Sequence, residues 1–520
     1  MSNLDLLIIG SGISGLSAAI SAKEEGADVL VVTKSVPTKN NSVMAQGGIN
    51  AALGNIKSDS TKLHAKDTLK SSHDLANANM VELLCNEAIN AIEFLEKIGV
   101  SFSRIDNACS TKGSIAQRKL GGASAPRACY AQDYTGLKIM HTLLDFAISS
   151  NIEIKDGLFL LELIKNSCSE VCGGLFFNFN SGKLESIYAK RVLLATGGYG
   201  GIYAKNTNSY GSSGDGLAAV FRAGGVLSNM EFVQFHPTTL KGSNILISES
   251  ARGEGGYLVN CKNERFVDEL APRDVVAKAV FEQISSGNSV YLDLRHIDEQ
   301  HLKEAMPQEL KVIKTYANVD ATKELVEIEP AVHYSMGGIS VNSNFAVKSL
   351  AGCFAVGECS DASVHGANRL GGNSLLEAVA FGRLSAKKAL SVAPNAIEQK
   401  EQKYNLPVGS GNYNELSNTK KEVAEILNKN VGLLRDEQSL KEAQDSLNRL
   451  NIDTLSVSGQ LQYNTNLIEL LELKNSIYLA KATIKCALER KESRGAHIRV
   501  DYTSEDATYT KPSFITIKEL

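Results

Sequence analysis

The sequence predicts an α/β fold wound around a buried parallel strand, with an α+β unit inserted into it and a helical region at its end. Three observations carry this. The chain opens on a run from Leu4 to Ile9 that is apolar but for Asp5, and a glycine-rich turn and a helical pattern follow. A second strand-to-glycine turn, "RVLLATGGYGG", comes at residues 191–201. Residues 236–335 then change texture, with acidic and basic helical stretches around "VYLDLRHID". At 520 residues the chain is too long for one simple core and predicts two or three domains.

The opening stretch follows a simple logic. The apolar run reads as a parallel strand buried on both faces. Gly10, Gly12 and Gly15 form G-x-G-x-x-G, Ile13, Leu16 and Ile20 recur at helical spacing, Gly26 ends the helix, and Val29 to Val32 read as a second strand. This is a Rossmann-like arrangement. The three glycines are expected to face a pyrophosphate at the helix N-terminus, with Ser11 and Lys34 nearby, because unpaired N–H groups point outward there. The second strand runs into Thr33-Lys34 without an acidic residue to hold a ribose. That argues against NAD and leaves FAD open.

Further along, residues 79–97 read as an amphipathic helix, and residues 156–195 as strands with a turn at Ser181-Gly182-Lys183. Residues 351–390 return to an apolar strand, "GCFAVGE", a Gly/Asn-rich loop and a helix whose N-terminus can face the same cofactor. The polar, Pro- and Gly-containing stretch 393–414 reads as a linker, and residues 415–490 carry helical periodicity rich in Lys and Glu. The expected division is 1–235 and 336–392 for one discontinuous domain, 236–335 for the insertion, and 415–520 for a helical C-terminal domain.

Composition excludes several classes. Apolar residues make up 43% and charged residues 22%, as in ordinary globular proteins. A net charge of −4 gives no electrostatic footprint for nucleic acid. The nine cysteines are scattered and include no C-x-x-C, which predicts reduced thiols, a cytoplasmic setting, and no metal or iron–sulfur site within the chain. The start reads as a strand, with no secretory leader expected. No apolar run reaches the about 18 residues of a membrane span, so any membrane link is expected through partners.

The motifs "GSGISGLSAA", "AQGGINAALGN", "QRKLGG", "RACYAQDYTG", "LLATGGYGGIY", "SSGDG", "EFVQFHPT", "ESARGEGGYL", "ELAPRDVVAKA", "VHYSMGGI", "AVGECS", "HGANRLGGNSLLEAVAFGR", "NVGLLR" and "RKESRGAHIRVDY" occur in this order over roughly residues 4 to 505. On them the chain resembles the flavoprotein subunits of succinate dehydrogenase and fumarate reductase, and the related L-aspartate oxidases. The resemblance implies an FAD-binding domain, an inserted capping domain and a helical C-terminal domain. It implies FAD contacts at Ala45, Gln46, Gly47 and Gly48 along the isoalloxazine, and at Gly197, Gly198, Asp215, Glu358, Arg369, Ser374 and Leu375 elsewhere.

Reducing fumarate needs a hydride from flavin N5 on one alkene carbon, a proton on the other, and a grip on two carboxylates. The resemblance assigns one carboxylate to His236 and Ser248 and the other to His333 and Arg369, whose planar fork suits it. It places the proton donor at Arg273, reprotonated through Glu249 and Arg252. The spacing of those last two puts them on one side of a helical turn. An arginine, protonated below about pH 12, donates only to something as basic as a carbanion beside a carboxylate. Taken singly, His64, His73, His141, His296 and His301 read as structural or exposed, and His365 and His497 as structural support.

Three functions remain open at this point: fumarate/succinate interconversion with an iron–sulfur partner subunit, L-aspartate oxidation, and a non-catalytic subunit that retains FAD for assembly. A neutral Gln117 is expected at the substrate, where aspartate oxidases tend to carry a glutamate for the ammonium, and it favours the dicarboxylate reading. "ELAPRD" and the short chain lean toward the oxidases. Asn41 stands where membrane-bound relatives carry the histidine that bonds the flavin covalently, which implies noncovalent FAD and a lowered potential.

Overall fold

The computed structural model describes residues 4–105, 113–411 and 413–520. Its centre is a five-stranded parallel sheet in the order Cys353–Ala355, Val192–Leu194, Leu6–Ile9, Val29–Val32, Glu153–Lys155. The strands in the middle of this sheet are fully buried, which is why they read as unbroken apolar runs. The helix Ile13–Glu24 leaves the end of the first strand and packs against the Asn373–Ser391 helix. Their approach is close enough that a side chain at Gly382 would strike the Ser14 backbone. The two glycine turns, after Ile9 and after Leu194, thus open on the same edge of the sheet, where ligands bind in doubly wound folds.

A three-stranded antiparallel sheet, Leu158–Lys165, Val171–Asn178 and Lys183–Tyr188, flanks the body. Gly182 turns its hairpin at φ 69°.

The inserted segment has its own antiparallel sheet, ordered Val233–Leu240, Val326–Ser335, Val290–Asp293, Tyr257–Asn260. Its apolar side chains, among them Leu258, Val280, Leu292, Leu302 and Ile328, form a core separate from the main one. This unit, the cap, meets the body at several points, among them Gln132–Glu304, Thr207–His333 and His73–Asp274.

The C-terminal region and the stretch before it are packed onto the body. The C-terminal region holds the helices Tyr413–Asn430, Glu437–Arg449 and Thr465–Glu489, and its tail carries only short 3-10 turns, Ala507–Tyr509 and Ile517–Glu519, and one strand. Phe514–Ile515 adds a strand beside Leu227–Ser228 of the body. Leu467, Leu470 and Leu479 also belong to the main core, so helix and tail are bound into the body. The stretch 393–411 does not hang free either. Asn395 Nδ2 donates to the Val171 carbonyl at 3.0 Å, and the Lys400 carbonyl accepts from the Tyr188 hydroxyl at 2.5 Å.

Eight cysteines are described and all are free thiols, while Cys109 lies outside the described residues. Among the described residues no helix is long and apolar enough to cross a membrane.

Candidate active site

One cleft runs from the glycine turns of the body to the seam with the cap, and most of the expected site residues line it. Its two ends differ in construction.

The first end is largely backbone. Gly10 sits at φ 114°, and any side chain there would overlap the Ala195 carbonyl. Gly12 precedes the Ile13–Glu24 helix in extended conformation and has no side chain to cap it; of the first N–H groups, Ile13's donates to Ser42 Oγ at 3.3 Å. Gly372, in the left-handed region at φ 83°, precedes the second helix, whose Ser374 and Leu375 reach the cleft. Two helix N-termini therefore offer free N–H donors and positive dipole ends to one channel, the standard setting for a pyrophosphate. Ser11, Gly197 and the segment Ala45–Gly48 complete this wall. Buried, unpartnered polar atoms face the same channel: Gln46 Oε1 and Arg369 Nε. These features fit an FAD molecule.

Lys34 and Asp215 line the cleft but also bind each other at 2.5 Å, and Lys34 reaches Glu472 at 2.8 Å. Burial works against the Lys34 charge, but Asp215 and Glu472 outweigh it and hold the ammonium above its ordinary pKa. Asn475 Nδ2 donates to Asp215 Oδ1 at 2.9 Å. The C-terminal helix is thereby fastened beside the cofactor wall. Glu358 takes the Ser335 N–H on Oε1 at 3.1 Å, and burial pushes its carboxyl up to about 7. Asn41 spans to the facing loop, donating to Asn208 Oδ1 at 2.9 Å and accepting from the Ser209 N–H at 2.6 Å.

The second end is built of side chains from five separate segments. The strand Val233–Leu240 carries Pro237, which cannot donate to the ladder, and its register against Val326–Ser335 slips between His236 and Thr239. Such breaks re-aim side chains. His236 and His333 meet across the two strands at 5.1 Å between ring centroids. His236 is anchored through Nδ1 on Thr238 (3.1 Å to the carbonyl) and His333 through Nδ1 on the Thr207 hydroxyl (2.8 Å). Burial first, then the nearby Arg273 charge, depresses both imidazoles well below their usual range, so both are neutral at pH 7.

Ser248 caps the short helix Glu249–Gly253. Its Oγ accepts from the Ser250 N–H (3.2 Å) and the Ser250 hydroxyl (2.6 Å), which leaves its own hydrogen to donate.

Arg273 begins the helix Arg273–Ser285. Its Nε and Nη2 bind Glu249 Oε2 at 2.7 and 2.5 Å, and Nη1 donates to Gln234 Oε1 at 3.1 Å. Glu249 Oε1 takes the Gly121 N–H at 2.5 Å. Burial would raise the Glu249 carboxyl, but Arg273 and Arg252 hold it below its ordinary value. Arg369 lies over the Tyr334 ring at 4.1 Å, and its Nη1 and Nη2 donate to Ser374 Oγ (2.5 Å) and Gln234 Oε1 (3.2 Å). Burial, then Arg273, lowers it to about 10.

Four expected placements differ. Gln117 is buried away from the cleft, with its amide donating to the Ala51 carbonyl at 2.7 Å and accepting from the Asn55 N–H at 3.2 Å. Leu120, just before the Gly121-Gly122 pair, lines the cleft in its stead. Arg252 is buried, but Nη1 donates to the Glu269 carbonyl at 2.5 Å and it makes no hydrogen bond to Glu249, which reaches across to Arg273. Gly15 packs on the Gly10 carbonyl instead of facing the channel, so its role is close helix–strand contact. Gly198 also lies behind the wall, where a side chain would strike Glu358 and Ser335.

Several histidines outside the cleft have structural partners. His365 binds Glu377 at 2.9 Å, His497 contacts Arg435 and the Arg490 carbonyl, His64 meets Asn373, and His296 stacks on Tyr257.

Sequence reasoning missed Gln234, the shared acceptor of Arg273 and Arg369. The signal was present, because Gln234 and His236 are two apart in a strand and alternation puts them on one face.

A two-turn dinucleotide-binding body whose cap delivers cations to the mouth of the cofactor channel is the design of an FAD-dependent oxidoreductase. Comparison with known proteins specifies which. Residues 5–375 match the FAD binding domain family and residues 420–519 the fumarate reductase flavoprotein C-terminal family. The chain is 37% identical, over 96% of its length and 86% of the relative's, to the mitochondrial succinate dehydrogenase [ubiquinone] flavoprotein subunit of Oryza sativa subsp. japonica. It is 35% identical to the 8-methylmenaquinol:fumarate reductase flavoprotein subunit of Wolinella succinogenes, over 99% and 88%. The structure of E. coli quinol fumarate reductase superposes with a TM-score of 0.91 at 32% identity, covering 99% of this chain and 94% of that one. The chain belongs to the succinate dehydrogenase/fumarate reductase flavoprotein family and is a flavin-dependent oxidoreductase.

Proposed function

We propose that the protein interconverts fumarate and succinate. The observation that carries this is the convergence of His236, Ser248, His333 and Arg369 around Arg273, whose guanidinium is already paired with Glu249. In this reading Ser248 donates its free hydroxyl hydrogen, with His236, to one carboxylate, and His333 and Arg369 hold the other. Bound FAD supplies the hydride-transfer chemistry. Arg273 gives a proton to the carbanionic carbon of the reducing direction, and Glu249, at 2.7 Å, returns one to it. Glu249 is ionised at rest, so the proton it returns must first reach it; the proposed source is the nearby Arg252, whose charge acts on Glu249 although its Nη1 donates to the Glu269 carbonyl.

The wall beside the Gly121-Gly122 pair is the apolar Leu120, and Glu249 is committed to Arg273 and Gly121. Neither offers a carboxylate to a substrate ammonium, so L-aspartate fits poorly. A non-catalytic role leaves the Arg273–Glu249 pair without purpose.

The proposed division of labour gives residues 1–235 and 336–392 to FAD, 236–335 to covering the substrate, and 415–520 to support. FAD is held without a covalent bond, since the Asn41 amide cannot form one and is engaged with Asn208 and Ser209. After acid precipitation the yellow colour is expected in the supernatant; colour in the pellet contradicts this. Electrons pass through an iron–sulfur partner subunit, and the protein meets the inner face of the cytoplasmic membrane only through partners. The test of the reaction is turnover of purified protein, comparing fumarate reduction by reduced viologen with L-aspartate oxidation. Rapid fumarate turnover is expected; rapid aspartate oxidation with negligible fumarate turnover overturns the reading.

A further inference from the structure

Behind Ser248, on the side away from the cleft, stand two carboxyl groups with no part in the chemistry above. Glu309 lies in the first turn of the cap helix Pro307–Ala317, and Asp133 in the body loop before the helix Thr135–Ser149. Both are 0% exposed. Asp133 Oδ2 accepts the Glu309 N–H at 2.7 Å, so an acid of the body caps a helix of the cap. Glu309 Oε1 accepts the Ser248 N–H at 3.0 Å. A single line of contacts thus leads from the body, through the cap helix, to the residue that meets the ligand. A second tie comes from the neighbouring Gln132, which donates to the Glu304 carbonyl at 3.2 Å.

The other two oxygens, Asp133 Oδ1 and Glu309 Oε2, are buried without a partner. Two such anions side by side are costly. The cation acting on Asp133 is Arg118, which is shared with the Gln132 carbonyl (3.1 Å), the Tyr130 ring (3.7 Å) and Glu254 (3.7 Å). Burial first, then Asp133, pushes Glu309 up to about 8, and burial raises Asp133 as well.

We propose that Glu309 is a positioning residue for dicarboxylate binding: it holds the Ser248 N–H and, as a carboxylic acid against Asp133, seats the cap on the body, and its ionisation unseats the cap and carries Ser248 away with it. This rests on the assignment of Ser248 to a ligand carboxylate. The proton leaves to solvent as the seam opens. The sign follows from linkage. A solvated glutamic acid titrates near about 4.3, whereas the seated one titrates near 8. The seated state therefore binds the extra proton, and its advantage is full below the lower value, declines between the two, and is gone above the higher.

The test is calorimetric titration of succinate into the FAD-loaded full chain at pH 6 and pH 8, for wild type, Glu309→Gln and Glu309→Leu. Glu309→Gln keeps an acceptor for the Ser248 N–H and cannot ionise. Wild-type affinity is expected to fall between the two pH values by about ten-fold more than that of Glu309→Gln. Glu309→Leu, with normal FAD content, is expected to bind about ten-fold more weakly at pH 6, since the Ser248 N–H loses its partner. Parallel pH dependence in wild type and Glu309→Gln, or wild-type affinity in Glu309→Leu, overturns the proposal. Wild type that takes no succinate at either pH overturns the functional reading, and this proposal with it.

Discussion

The two ends of the cleft are made of different material. The cofactor end is backbone: glycines whose side chains would collide with neighbouring carbonyls, and two helix N-termini aimed at one channel. The substrate end is a set of buried charged and polar side chains from five segments, each oriented by another group. Backbone holds a ligand by shape and fixed dipoles, which do not titrate. Side chains at the other end can exchange protons and depend on their supports. A change at the first end should therefore abolish cofactor retention outright, while changes at the second should scale turnover and leave the flavin in place.

The largest effect is expected from Gly10→Val, which cannot avoid the Ala195 carbonyl. The purified variant should lack the flavin absorbance band and all activity. Next, Glu249→Gln should lower fumarate turnover about 10²-fold with FAD retained, because Arg273 loses its proton source. Gln234→Leu removes the acceptor that aligns Arg273 and Arg369, and should raise the fumarate KM about ten-fold. The smallest kinetic effect is expected from Gln117→Met, under about two-fold. Its cost should appear instead as roughly 1–2 kcal/mol of lost stability in urea unfolding, from the Asn55 N–H left without its acceptor and the lost bond to the Ala51 carbonyl.

The same contrast explains what could be read from the sequence. Gly10 and Gly12 announce themselves, because the flanking strand and helix patterns are local. The resemblance brought His236, Ser248, Arg273, His333 and Arg369 together although they span more than a hundred residues. It could not say how they are held. Gln117 and Leu120 are three residues apart in one motif, and which of them faces the cleft depends on a two-residue strand pairing with Ala128–Cys129. That long-range contact leaves no periodic trace in so short an element. Arg252 illustrates the same limit: helical spacing put it beside Glu249, but the Glu269 carbonyl competes for it. The strand Phe514–Ile515 was invisible because two residues carry no alternation to recognise.

Proton transfer through Arg273 to a dicarboxylate held by its neighbours is the work proposed for the charged end. The most direct measurement is fumarate reduction by reduced viologen in wild type and Arg273→Gln at matched FAD content. The account predicts a fall of at least about 10³-fold in kcat, with FAD retained and succinate still bound. An Arg273→Gln protein that keeps wild-type turnover contradicts it.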